Sequence, residues 1–257
     1  MAQILNPLAA HIKTVKQRLI IIGATVLVAL LVSFAFSGEM VAWLNRPFSN
    51  QLVFYGPTEA LFASIKVSLL AAIIASLPVI FYQCWKFIEP ALLPKEQRWG
   101  FPLFALAGGL FALGLIFCNL VILPLVINFF VSFGMDHDVT PLLSVGTYID
   151  FNVKFLLIFG CAFELPLVLT ILARVGVVSA QVLAKYRKYA IMASLILSAI
   201  VTPDATLVTM LLMAVPLMVL YEIGIIGARI FGRAGPTAVS LPLDPDLPMG
   251  PAGHRVR

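Results

Sequence analysis

The chain has 257 residues, 61% of them apolar and only 11% charged, with a net charge of +5. A soluble domain runs at roughly 45–50% apolar and about 25% charged, so this composition excludes one and places the hydrophobic runs in lipid. The positive charge does not point to nucleic acid, because the Lys and Arg residues never form a dense basic run with interleaved aromatics.

A bilayer core about 30 Å thick needs about 20 apolar residues in a helix. Six runs qualify as candidate spans, and lipid forces them to be helical because it offers no water to unpaired amides. The first is 19–36, without a charge. The second is 60–87, carrying Lys66 and a bend expected near Pro78. The third is 101–133, with Pro124 inside it. The fourth is 148–172, carrying Lys154 and Glu164. The fifth, 189–201, is short, at about 20 Å of helix, and the sixth, 205–221, spans about 25 Å. The expected organisation is a cytoplasmic segment 1–18, a six-helix membrane domain 19–231 and a disordered Pro- and Gly-rich cytoplasmic tail 232–257.

Charge sets the orientation. With the N-terminus inside, fourteen of the seventeen Lys and Arg fall in cytoplasmic segments, and Arg46 alone falls outside. Lys66 and Lys154 lie within spans, near their outer ends, where snorkelling accounts for them. A bias this large follows the positive-inside rule and fits an even number of spans with both termini cytoplasmic. The first span is too long for a secretory signal core and lacks a convincing small-x-small cleavage site. Cys84, Cys118 and Cys161 lie in apolar runs without CxxC spacing and read as small core residues; the three His are too scattered for a metal site. No cofactor is expected. No duplicated half of the kind found in broken-helix transporters is evident.

The fifth helix could be short enough to thin the bilayer locally, or could extend back through Lys185–Lys188 with its cations snorkelling. Glu164 lies deep in the fourth run, where a charged carboxylate costs roughly 2.5–3.5 kcal/mol on the lenient insertion scale. It either packs helices together by pairing with Lys154 or Lys66, or offers a polar contact to another protein's helix or a proton-sensitive site. Glu96, in a loop beside Lys95 and Arg98, and Glu222, near the inner end of the last helix, read as solvated ion pairs. Asp204 reads as a helix cap in the Thr202-Pro203-Asp204 turn. An enzyme is disfavoured: the chain has no HExxH, no Gly-rich phosphate loop and no Ser–His pair on suitable helices.

The stretch SLPVIFYQCWKFIEPALLPKEQR over 76–98 resembles the Pro-x-x-x-Tyr-Gln-x-Trp-x-Phe-Ile-x-Pro-x-Leu…Glu-x-Arg signature of the TatC family, the polytopic subunit of the twin-arginine protein translocase. Gly56-Pro57-Thr58-Glu59 with Lys66, Phe163-Glu164-Leu165-Pro166, Arg187-Lys188-Tyr189, Thr202-Pro203-Asp204 and Tyr221-Glu222-Ile223-Gly224 follow in the family's order, so the resemblance covers about 11–231. It implies an all-α integral membrane protein of six helices, N-in and C-in, forming a concave, glove-like bundle with short fifth and sixth helices.

The resemblance also implies a function. The family's members bind twin-arginine signal peptides at the cytoplasmic face of the bacterial inner membrane. With TatA, TatB and further TatC copies they move folded proteins across it, driven by the protonmotive force. Glu96 takes the place of the family's signal-binding glutamate, with Phe87 and Arg98 flanking the patch, and a carboxylate suits an Arg-Arg pair through bidentate hydrogen bonds. Glu164 takes the place of the membrane-embedded glutamate, and Asp204 that of the acid in the last outer loop. The sequence departs from the family at Thr14, where a second signal-binding glutamate is usual. Recognition is then expected to lean on Glu96. The competing reading is a proton-coupled small-molecule transporter using Glu164.

Overall fold

A computed structural model describes residues 2–45, 52–53, 55–89, 100–135, 143–202 and 206–232, and it is almost wholly helical there. In chain order the elements are α1 (Ala2–Ala35), α2 (Ser37–Asn45), β1 (Leu52–Val53), α3 (Pro57–Ile88), α4 (Gly100–Phe117), a π-helical turn (Cys118–Ile122), α5 (Leu123–Met135), β2 (Leu143–Ser144), α6 (Val145–Phe163), α7 (Leu165–Val175), α8 (Ala180–Lys185), α9 (Arg187–Val201) and α10 (Leu207–Phe231).

Among the described residues, five stretches are long and apolar enough to cross a membrane: Val15–Ala35, Thr58–Phe87, Pro102–Phe130, Val145–Val175 and Leu207–Phe231. These are the first four expected spans and the sixth. The third absorbs Pro124 through the π-turn. Proline cannot donate to the preceding turn, and the wider winding carries the chain past it, with the Leu123 amide donating to the Cys118 carbonyl.

The fifth expected span appears as α9, 15 residues long or about 22 Å. It does not run back into α8, because Tyr186 adopts φ −91°, ψ 11° and separates the two. The break decides the open alternative in favour of a short helix. The sixth span corrects the expectation of a short one: α10 has 25 residues, about 37 Å. Glu222 and Arg229 look like an interfacial end to the hydrophobic run. In the fold the helix continues past Glu222, which pairs with Arg187.

α6 forms the centre of the bundle. Phe155, Phe159 and Ile149 on it are fully buried. It packs against α3 on one side and α4 on the other. The α4 contact is close because small residues face large ones in both directions. A Cβ at Gly114 would lie 2.6 Å from the Phe159 carbonyl, and one at Gly160 would lie 2.7 Å from the Phe111 ring. In lipid, association rests on such packing, since burial in protein gains little over burial in acyl chains. α1 is peripheral and packs mainly on α3.

α7 packs along α10. Gly224 and Gly227 make that possible, the first facing Leu169 and Pro166 and the second facing Thr170. α9 packs on α10 as well. Its hydroxyls are satisfied within its own helix: Ser194 donates to Ala190, Ser198 to Ser194 and Thr202 to Ser198, each to the carbonyl four residues back.

At one end of the bundle, β1 and β2 pair in parallel, Leu52 with Leu143 and Val53 with Ser144. The pairing brings the starts of α3 and α6 together. The other end carries Arg18, Lys86, Arg174, Lys185, Arg187 and Lys188 and is called the basic end below. Of the cysteines, only Cys118 is buried. Cys84 and Cys161 are exposed, correcting the reading of all three as core residues.

Candidate functional site

The sequence directed attention to two regions, the basic end and the interior of the fourth span. Around the basic end, α1 and α3 converge. The Arg18 guanidinium donates to the Gln83 carbonyl at 3.3 Å. Beside it lies a groove of about 280 Å³ lined by Val15, Arg18, Leu19, Ile22, Gln83, Cys84 and Phe87. Phe87 is half exposed at its edge. α3 ends at Ile88 and α4 begins at Gly100, which sits against the Trp85 indole so closely that a Cβ there would be 2.7 Å away. The two ends of the 90–99 segment are thus held together next to the groove. Glu96 and Arg98 are in that segment and lie outside the described residues, as do Asp204 and the tail from 233 onward. Thr14 falls within α1, near the groove in sequence, but its side chain is outside the described set.

Glu164 sits at the break between α6 and α7. It closes α6 and precedes α7, with Pro166 in the first turn of the second helix. Pro166 is tolerated there because early helical amides need no intrahelical acceptor. The main chain of Phe111, on α4, lies beside the carboxylate. Its Oε1 is buried and has no hydrogen-bond partner among the described residues. A buried polar atom left unpaired is costly.

Glu164 does not pair with either lysine. Lys66 and Lys154 instead share Asp150. Lys66 Nζ lies 2.7 Å from Oδ1 and Lys154 Nζ 2.8 Å from Oδ2, one ammonium to each carboxylate oxygen. The pairing joins α3 to α6 near the end opposite the basic one. Snorkelling alone does not describe these lysines, and the packing role considered for Glu164 belongs to Asp150. Asp150 is not among the residues that the sequence singles out above, although its i,i+4 spacing to Lys154 is a usable signal.

A second acid at that end was also passed over. Glu59 Oε1 accepts from the Ser144 hydroxyl at 2.9 Å, and its Oε2 from the Tyr55 amide at 3.2 Å. Ser144 in turn caps α6 by accepting from the Thr147 amide at 3.4 Å. At the basic end, Arg187 donates to Glu222 at 2.8 Å, the ion pair expected of Glu222, and the Tyr221 hydroxyl donates to the Leu183 carbonyl at 2.9 Å. These two bonds hold α8 and the start of α9 against α10. No group of three or more His, Cys, Asp or Glu able to hold a metal occurs among the described residues.

The family model described as "Sec-independent protein translocase protein (TatC)" matches residues 10–216. The chain belongs to the TatC family. It is 38% identical over 234 residues to the Sec-independent protein translocase protein TatC of Desulforapulum autotrophicum, covering 89% of this chain and 86% of that one. To the TatC of Aquifex aeolicus it is 39% identical over 233 residues, covering 88% and 96%. A crystal structure titled as the twin arginine translocase receptor TatC superposes with a TM-score of 0.79 at 38% identity, covering 87% of this chain and all (100%) of the other. The same receptor in the detergent DDM gives 0.78 at 40% identity, covering 84% and 98%. This TatC-family chain is therefore a multi-pass membrane protein, a component of a protein translocase, and not an enzyme.

Proposed function

We propose that this TatC-family chain is the receptor and core subunit of a twin-arginine translocase. It binds twin-arginine signal peptides at the cytoplasmic face of the bacterial inner membrane. With TatA, TatB and further copies of itself, it passes folded proteins across, driven by the protonmotive force. The observation that carries this reading is the likeness to solved twin-arginine translocase receptors along nearly their whole length. In this reading α9 is the short fifth of six spans, both termini are cytoplasmic, and the bundle is concave.

The basic end is then the cytoplasmic end. Glu96 receives the two signal arginines, with Phe87 and Arg98 flanking it. The apolar groove between α1 and α3 lies where the hydrophobic part of a signal would follow. Carboxylates suit guanidinium through charge-assisted, two-point hydrogen bonds. Thr14 can accept a hydrogen bond but supplies no charge, so Glu96 carries most of the recognition. Glu164, with an unpaired oxygen at the break between α6 and α7, is a contact for the single-span partners after the signal has bound. Asp204 acts at the opposite face, in the segment between α9 and α10.

The test is photocrosslinking of a twin-arginine signal peptide to the full-length protein in membranes. Glu96→Ala should abolish crosslinking while the protein stays inserted, and Thr14→Glu should increase it. Retained crosslinking in Glu96→Ala would sink the assignment of the receptor site.

A further inference from the structure

The Lys66–Asp150–Lys154 cluster does more than join two helices. Two cations share one anion, so the cluster keeps a net positive charge. Asp150 spends each oxygen on one ammonium. Each ammonium has three donors. Among the described residues neither lysine has another hydrogen bond or ion pair. The side chains are open to their surroundings, at 40% for Lys66 and 55% for Lys154. An excess cation within an apolar span needs an anion or water.

Depth indicates which anion. The apolar stretch on α3, Thr58–Phe87, has 30 residues, and that through α6 and α7, Val145–Val175, has 31. At 1.5 Å per residue each is about 45 Å long, against about 30 Å of hydrocarbon, leaving about 8 Å beyond the core at each end. Lys66 is about 12 Å from the start of its stretch and Lys154 about 13 Å from the start of its own, on the same rise. Both Cα atoms therefore lie only about 4–6 Å inside the hydrocarbon boundary. A lysine stem spans that distance, so both ammoniums reach the layer where phospholipid phosphates sit. Below them, toward the middle of the bilayer, Leu69 and Ile73 follow Lys66 at i+3 and i+7 on α3, and Leu157 follows Lys154 at i+3 on α6. These side chains are not fully buried and continue the same two helix faces inward.

We propose that this cluster binds the phosphate of an anionic phospholipid in the leaflet away from the basic end, with an acyl chain laid along Leu69, Ile73 and Leu157. Glu59, further out on the same junction, is already engaged by the Ser144 hydroxyl and the Tyr55 amide, which leaves the two ammoniums to the phosphate. Asp150 holds the two ammoniums side by side, so that one phosphate meets both. The lipid in turn completes the α3–α6 junction from outside. This site does not depend on how the basic end is used.

The full-length protein, purified in detergent and stripped of lipid, is titrated with phosphatidylglycerol or phosphatidylcholine, and bound lipid is counted by native mass spectrometry. The parent protein should bind phosphatidylglycerol more tightly. Lys154→Gln, which keeps the Lys66–Asp150 pair between the helices, should weaken phosphatidylglycerol about five-fold, the share of one basic residue at a lipid surface, and leave phosphatidylcholine unchanged. The proposal is overturned if the parent binds both lipids equally, or if neither Lys154→Gln nor Lys66→Gln changes phosphatidylglycerol binding. It is also overturned if Lys154→Gln leaves lipid binding intact but releases a co-purifying single-span protein, because the anion would then be a partner's carboxylate.

Discussion

Two acids on the central helix, Asp150 near its start and Glu164 at its end, show opposite treatments of charge in a membrane. Asp150 has an ammonium on each oxygen and joins α3 to α6. Glu164 sits where the helix breaks, with Oε1 buried and unpaired among the described residues. The first arrangement offsets desolvation with Coulomb attraction inside the chain and makes the junction rigid. The second leaves part of a polar group unsatisfied, which lowers stability and keeps the group available to something else. A carboxylate in the bilayer is thus structural or functional according to what the neighbouring helices bring to it.

Substitutions separate the two roles by their effect on thermal unfolding of the purified protein. The largest loss is expected for Asp150→Ala, which leaves two like charges side by side. It should cost about 2–3 kcal/mol, below the ~3–5 of a broken buried pair because these groups keep much of their exposure. An unchanged unfolding midpoint would mean that the cluster does not join the helices. Gly224→Leu comes next. Its side chain would press on Leu169 and Pro166, just past Glu164, and should cost about 2 kcal/mol as overpacking. If it is tolerated, α10 does not hold the break in place.

Arg187→Ala removes a pair whose two side chains are each 46% exposed. It should cost less than about 1 kcal/mol and become indistinguishable from the parent in high salt. The smallest effect on stability is expected for Glu164→Gln, within about 0.5 kcal/mol, because the amide keeps the shape and its oxygen can still meet the Phe111 main chain. The same variant should fail to export a twin-arginine precursor. Loss of stability on the scale of Asp150→Ala would make Glu164 a packing residue after all.

The basic end and the opposite end differ in how readable they were. At the basic end the motif in 76–98 and the charge bias both lie in short stretches of chain or in plain charge counts. The groove beside Phe87 was not legible, because it arises where α1 meets α3. At the opposite end the tally of charges suggested snorkelling lysines, and the ion pairs that employ them went unread. Lys66 and Asp150 are on different helices, and Glu59 and Ser144 meet only because β1 and β2 align two loops.

The sequence by itself determined the membrane class, the positions of the long spans, the direction of the charge bias and the family. All of these are local sums: runs of apolar residues, counts of cations between them, and ordered motifs. Tertiary structure decided where helices stop and which charges meet. α10 runs on past Glu222, which meets Arg187 of α9, and α9 stays short because the helix breaks at Tyr186. Glu164 is left without the lysines because it closes the far end of α6, about 15 Å along the helix from Lys154. An ion pair or a glycine contact depends on three-dimensional distance between helices, which hydropathy and spacing along one chain do not encode.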